Sequence, residues 1–235
     1  GLALLHAMFA WCYVTFVRPL PGGMLVGFPA LWVLFEWVRG WIRTGCPWLY
    51  LGYAHIETWI SGWAPIVGVF GLSFICALTG TCLFLAWRSR RPVACATYAV
   101  IVITLWGGGA VLKPTQWVAS ASEYPLSVAI YQPNVPQEHK WDRAWYRPIL
   151  RQLREGTEPL LGHDIFIWPE AAVPNYYQRA QGFLEPMAQS AAKLETSLIT
   201  GIPYRQADSD IYHNSIVALG QGEGIYHKQR LVPFG

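Results

Sequence analysis

Glu170 stands in the stretch IFIWPEAAVP, straight after a run of apolar and aromatic residues and between Pro169 and Pro174. In layered α/β sheets ligand sites gather beyond the carboxyl ends of strands. A carboxylate placed there is a candidate general base. It is equally a residue that caps the next helix or pairs with Arg179, because most strand-end carboxylates are solvated. Lys228, in YHKQRLVPFG, follows another short strand-like run and reads as a second candidate or as an exposed loop lysine. Trp141, in PQEHKWD, is a candidate loop residue or a packing residue at a loop-to-helix junction. A carboxylate and a lysine at two strand ends make chemical sense with a third member: Glu takes a proton from a thiol, and Lys stabilises the oxyanion of a tetrahedral intermediate. The nucleophile is the missing piece. No G-x-S-x-G elbow and no Gly-rich phosphate loop occurs. His139, His213 and His227 lack metal-ligand spacing, and no metal or soluble cofactor is indicated.

The elements that must position these residues begin near Glu123. YPLSVAIYQ reads as a buried strand, and DRAWYRPILRQLREG as a helix with Pro148 early in it or kinking it. HDIFIWPE is a second strand, AQGFLEPMAQSAAKLE a helix, TSLITGIPY a third strand, HNSIVALG a fourth and GIYHKQRL a shorter fifth beyond the turn GQGEG. Strands alternating with helices, then strands in succession, predict an α/β or layered α+β domain.

The residues before this domain belong to another solvent. The 235-residue chain is 53% hydrophobic and 13% charged, with 13 tryptophans, which is too apolar for an ordinary soluble domain. Apolar runs over Leu2–Val17, Met24–Ile42, Ile66–Trp87 and Val93–Leu112 each approach the roughly 20 residues of a membrane-crossing helix. The expected organisation is a transmembrane helical region of about four segments over 1–112, a linker over 113–122 and the α/β domain over 123–235, the domain that carries the candidate residues. Arg18, Arg88, Arg90 and Arg91 place their ends of the segments in the cytoplasm, so the chain beyond Lys113 is expected outside. Trp48, Trp59, Trp63, Trp106 and Trp117 suit an interfacial belt on that outer side. Arg39 and Arg43 stand against this orientation, but Glu36, Arg39 and Arg43 share one helical face on which Glu36 is expected to pair with Arg39. A role of Glu36 in substrate access is the alternative. The net charge of +3, with no basic residues interleaved with aromatics, excludes nucleic acid as a partner.

The blocks VAIYQPNVPQEHKWD, IFIWPEAAVP, HNSIVAL and YHKQRLVPFG, in this order, resemble the signature blocks of the apolipoprotein N-acyltransferase family, membrane enzymes of the nitrilase (carbon-nitrogen hydrolase) superfamily. The membrane block PALWVLFEWVRGWIRTGCPWLYLGYAH is similar to that family's stretch ahead of its catalytic domain. The resemblance implies an αββα nitrilase-like sandwich, here incomplete at its C-terminal side, on the outer face of a bacterial inner membrane. It implies a Glu-Lys-Cys triad with Glu170 as general base, Lys228 as oxyanion stabiliser and Trp141 in a loop needed for activity. It implies transfer of an acyl chain from a phospholipid, commonly phosphatidylethanolamine, through a cysteine thioester to the N-terminal diacylglyceryl-cysteine of a lipoprotein. Cys12, Cys46, Cys76, Cys82 and Cys95 all precede the catalytic blocks, and none is given the nucleophile's role. Starting at Gly1 and stopping after LVPFG, the chain is expected to be a fragment lacking both ends and to be inactive by itself. A membrane-anchored amidase using the same triad with water, and a non-catalytic membrane scaffold, are the alternatives.

Overall fold

The computed structural model describes residues 2–42, 45–89, 91–121, 124–207 and 209–229. Arg43, Arg90, Glu123 and the run 230–235, which figure in the reading above, lie outside the described residues. The chain forms two compact units, residues 1–119 and 120–230.

In the first unit the four apolar runs hold α1 (Leu2–Cys12), α2 (Phe28–Arg39), α3 (Ala64–Ser89) and α4 (Pro92–Leu112). Pro29 and Pro92 stand in the first turn of α2 and α4, where the missing N–H has no helical partner to lose. Two stretches, Trp59–Ser89 and Pro92–Leu112, are long and apolar enough to cross a membrane. Along α4 the apolar side chains point outward, with Val93, Val100, Ile103 and Val111 all more than 60% exposed, an arrangement suited to lipid and costly in water. The helices are held together by small residues and inward-turned tryptophans. A Cβ on Gly109 would lie 2.4 Å from the carbonyl oxygen of Trp59, so backbone packs on backbone there. Trp63 Nε1, just ahead of α3, donates to the Leu105 carbonyl of α4 (2.8 Å), and Trp106 Nε1 of α4 donates to Thr79 Oγ1 of α3 (3.1 Å). Two members of the expected belt are thus internal braces, while Trp48, Trp59 and Trp117 are exposed.

The expected Glu36–Arg39 pair is corrected. Among the described residues these two side chains form no ion pair, although both are buried. Glu36 Oε1 instead accepts from the Leu51 amide (2.7 Å) and the Trp32 indole (3.0 Å). Arg39 donates to the Leu49 carbonyl (3.1 Å) and lies over the Tyr50 ring. The loop after α2 carries backbone groups that need partners in an apolar setting, and these outcompete a contact along the helix.

The second unit is a five-stranded mixed sheet in the order β1 (Val128–Ile130), β2 (Ile165–Ile167), β3 (Ser197–Arg205), β4 (Tyr212–Gly220), β5 (Gly224–His227). β1, β2 and β3 are parallel, and β3, β4 and β5 antiparallel. α5 (Gln137–Lys140) and α6 (Tyr146–Thr157) connect β1 to β2, and α7 (Gln181–Lys193) connects β2 to β3. Pro148 is the third residue of α6, early enough to leave the helix straight. Ala129, Phe166, Leu198, Ile202 and Val217 share one face by register and alternation. They pack under Ile149 and Leu153 of α6 and Phe183, Leu184 and Met187 of α7. Each of these large side chains, taken fully from water, contributes about 1.5–3 kcal/mol.

The opposite face is open: Val128, Ile130, Ile216 and Tyr226 are all about half exposed or more. This corrects the reading of YPLSVAIYQ as a buried strand, since only Ala129 of β1 is buried. Edge position and an uncovered face account for the difference; the apolar pattern is that of a strand covered on both sides. Helices on one face and an apolar surface on the other are the features of one half of an αββα nitrilase-like sandwich.

Candidate functional site

Glu170 lies three residues beyond β2, on a turn fixed at both ends. On one side Trp168 is buried, with its indole N–H donating to Thr157 Oγ1 (2.9 Å) and its amide to the Ile199 carbonyl (2.9 Å). On the other, Ala172 and Val173 are buried in the same core. Between these anchors Glu170 is exposed, and Ala171 takes a left-handed conformation with φ 48°. A left-handed non-glycine residue costs roughly 1–2 kcal/mol, strain of the kind that collects at functional turns. Beneath the turn is Gly201 of β3: a Cβ there would lie 2.8 Å from the Glu170 Cα. The chain reaches this position because glycine leaves the space.

Asn214 joins the two predicted residues. Its side-chain amide donates to Glu170 Oε1 in a short hydrogen bond, and its carbonyl accepts from the Lys228 amide (2.8 Å). Ser215 pairs with His227, so Lys228 extends the β4–β5 ladder by one residue and stands opposite Asn214. Side chains so opposed start from Cβ atoms about 5 Å apart on one face. That face is the open one, which also carries Gly201. Glu170, Asn214 and Lys228 are therefore assembled on the open side of the sheet, away from α6 and α7. The Lys228 side chain is exposed, and its strand is steadied on the helix side by a 2.7 Å hydrogen bond between Ser215 Oγ and His227 Nδ1. His213 stacks on His227 at 4.5 Å.

Glu170 neither caps a helix nor pairs with Arg179, whose guanidinium lies over Tyr176 instead. Trp141 is exposed, one residue beyond Lys140, whose ammonium donates to the Glu170 carbonyl oxygen (3.2 Å). The loop carrying Trp141 is thereby tied to the turn carrying Glu170, while the indole itself stays outside this cluster. Asn214, Lys140 and Gly201 were missed as site residues by sequence reasoning. Asn214 had a readable signal: it lies two residues into a strand, in HNSIVAL, where a polar side chain lands on the sheet face next to a neighbouring strand end. One oxygen of Glu170 is held by an amide donor, leaving Oε2 to accept a proton. A cationic side chain issues from the opposite strand. A carboxylate with one oxygen unheld and an ammonium on the same sheet face can, in chemical terms, accept a proton and offset negative charge.

Two family profiles match the chain. Residues 1–82 match that of the apolipoprotein N-acyltransferase N-terminal domain, and residues 127–234 that of carbon-nitrogen hydrolases. Among curated relatives, proteins named apolipoprotein N-acyltransferase from Pseudomonas putida, Methylococcus capsulatus and Coxiella burnetii are 39%, 36% and 34% identical to it. Each alignment covers 100% of this chain and 47%, 46% and 48% of those proteins respectively, so the chain spans about half the length of the curated relatives it matches. The helical unit and the mixed-sheet unit each meet their own profile. The chain belongs to the apolipoprotein N-acyltransferase family, with a carbon-nitrogen hydrolase domain following its membrane-type helices.

Proposed function

We propose that the protein to which these residues belong N-acylates the N-terminal diacylglyceryl-cysteine of lipoproteins, using a phospholipid as acyl donor, with Glu170 as general base and Lys228 as oxyanion stabiliser. The observation that carries this reading is the grip of Asn214 on both residues, its side chain on the Glu170 carboxylate and its backbone on Lys228. Glu170 Oε2 takes the proton of a cysteine thiol, and the thiolate attacks the ester carbonyl of the phospholipid. The Lys228 ammonium offsets the charge on the tetrahedral oxygen. Collapse breaks the ester C–O bond, the proton passes from Glu170 to the departing lysophospholipid, and a thioester remains. The amino group of the diacylglyceryl-cysteine then attacks the thioester, and the cysteine regains its proton. Phosphatidylethanolamine is the proposed donor. The Trp141 loop, tied to Glu170 through Lys140, is proposed to border the lipid entry.

The nucleophile is proposed to be a cysteine other than the five in these residues. Cys12, Cys46, Cys76, Cys82 and Cys95 belong to the helical unit, and none lies in residues 120–230. Residues 1–235 alone are accordingly proposed to be inactive. The organisation proposed is a multi-pass membrane region over 1–112, a linker over 113–122 and the catalytic domain over 123–235 on the periplasmic face of the inner membrane. Such a placement suits the chemistry, since drawing an acyl tail into water costs about 0.8 kcal/mol per CH₂.

The test is acyl-thioester formation by the full-length protein on phospholipid with a labelled acyl chain, read by mass spectrometry of the cysteine peptide. A thioester that disappears in Glu170→Ala and Lys228→Ala supports the assignment. A folded full-length protein with its cysteine intact and no thioester would overturn the phospholipid-donor reading.

A further inference from the structure

Residues 120–230 carry ten basic and twelve acidic side chains, an acidic excess, yet four arginines converge on one groove. Arg147, Arg151 and Arg154 lie at i, i+4 and i+7 on the outer face of α6, and Arg179 faces them from the segment leading into α7. The groove between them is about 680 Å³, floored by Leu150 and Phe183, with Arg154 over the Phe183 ring. Glu155 is the one acid lining it, and among the described residues none of the four arginines forms an ion pair. Like charges at i and i+4 of a helix destabilise it. A sheet unit with acids to spare that leaves these cations unmatched keeps an anion site open.

We propose that this groove binds the phosphate headgroup of an anionic phospholipid at the membrane surface. Arginine presents planar paired donors that match phosphate oxygens, and an apolar floor accepts the glycerol and the first methylenes. The choice of a lipid rests on tethering. α4 ends at Leu112 and β1 starts at Val128, so the connecting chain spans at most about 50 Å and holds the whole unit close to a bilayer. An anion fixed in that bilayer meets the groove at a high effective concentration. The bound lipid is not the acyl donor: the groove lies on the helix-covered side of the sheet, whereas Glu170, Asn214 and Lys228 occupy the open side. The inference goes beyond the proposed acyl transfer and stands or falls separately from it.

The test uses the full-length protein in detergent, titrated with dioleoylphosphatidylglycerol or dioleoylphosphatidylcholine and followed by native mass spectrometry, beside the Arg147→Gln/Arg151→Gln variant. Each arginine near a charged lipid surface changes affinity roughly 5-fold, so the double variant is expected to lose about 30-fold in phosphatidylglycerol affinity at one site. Its phosphatidylcholine binding is expected to stay unchanged and its thermal midpoint to hold or rise slightly, since both side chains are exposed and unpaired and their mutual repulsion is removed. In nanodiscs, adding phosphatidylglycerol to phosphatidylcholine is expected to slow amide exchange over residues 176–183, and high salt to reverse it. Equal phosphatidylglycerol binding by wild type and variant, with no lipid-dependent protection, would overturn the proposal. So would displacement of the lipid by an equal concentration of inorganic phosphate, or protection by an acidic peptide where the lipid gives none.

Discussion

Gly201→Ala is the smallest change that tests how Glu170 is placed. The added Cβ would stand 2.8 Å from the Glu170 Cα and 3.1 Å from the Ala171 nitrogen. Both are backbone atoms of a turn pinned by Trp168 and Val173, so no side-chain rotation relieves the overlap. Carbon atoms settle at about 3.5–4.0 Å, which requires the turn to rise by roughly 1 Å. Overpacking of this kind costs about 1–3 kcal/mol of stability. A shift of 1 Å in a catalytic group costs on the order of 100-fold in rate. Moving away from β3, Glu170 also loses the reach of the Asn214 amide. The assay is thioester formation by the full-length protein, paired with a thermal melt. The control is Gly182→Ala, where a Cβ meets nothing within 4 Å. The expected result is a loss of about 100-fold for Gly201→Ala with the protein still folded, and none for Gly182→Ala. A Gly201→Ala protein with full activity and an unchanged melt would refute the claim that glycine at this position sets the proposed base.

Asn214, Asp164 and Glu36 each hold a polar contact whose loss has a measurable outcome. Asn214→Ala frees Glu170 Oε1 and is expected to slow thioester formation about 10–100-fold, with Asn214→Asp slower still because it sets a second carboxylate against the first. Asp164 is held below the usual carboxylate range by hydrogen bonds from the Ser127 hydroxyl and then the Ser127 amide, both 2.7 Å, which clasp the starts of β1 and β2. A depressed folded pKa gives stability that is present above the unfolded value, near pH 4, and lost as pH falls through the folded one. Thermal melts from pH 6 to pH 3 are therefore expected to fall more steeply for wild type than for Asp164→Asn. In the helical unit, Glu36→Ala strands the Leu51 amide and the Trp32 indole at a cost of about 1–3 kcal/mol, whereas Glu36→Gln keeps an acceptor. A melt in detergent in which Gln is as damaging as Ala would show that the charge matters rather than the acceptor.

The sequence made local patterns legible and left pairings hidden. The elements α6, α7 and β2 to β5 follow period and punctuation, and Glu170 and Lys228 could be singled out because strand ends are visible in a one-dimensional pattern. Their shared tie to Asn214 was not visible, because it depends on β4–β5 register, which turn geometry and a part-buried Ser215–His227 contact set together. Glu36 shows the opposite failure. Helical spacing offered Arg39 as its partner, but spacing carries no information about a loop that returns 15 residues later with an unmet amide. β1 misled for a third reason: alternation is lost when both faces of a strand are apolar, so an open face and a covered one read alike.

The open face and the site are one problem for the chain. Val128, Ile130, Ile216 and Tyr226 present apolar surface on the same side as Glu170, Asn214 and Lys228. Apolar area costs about 25 cal/mol per Å² when left in water, so this face favours a covering layer. A layer laid over it also removes water from the carboxylate and the lysine, and exclusion of water would strengthen the hold of the lysine on the oxyanion proposed for it. Stability and chemistry thus ask for the same packing event. An isolated segment 120–230 is then expected to self-associate through this face, with light scattering that falls when Ile130 and Ile216 are replaced together by Lys. A monomeric, cooperatively melting segment with both isoleucines in place would show that the face is satisfied in water, and would break the link between covering the sheet and completing the site.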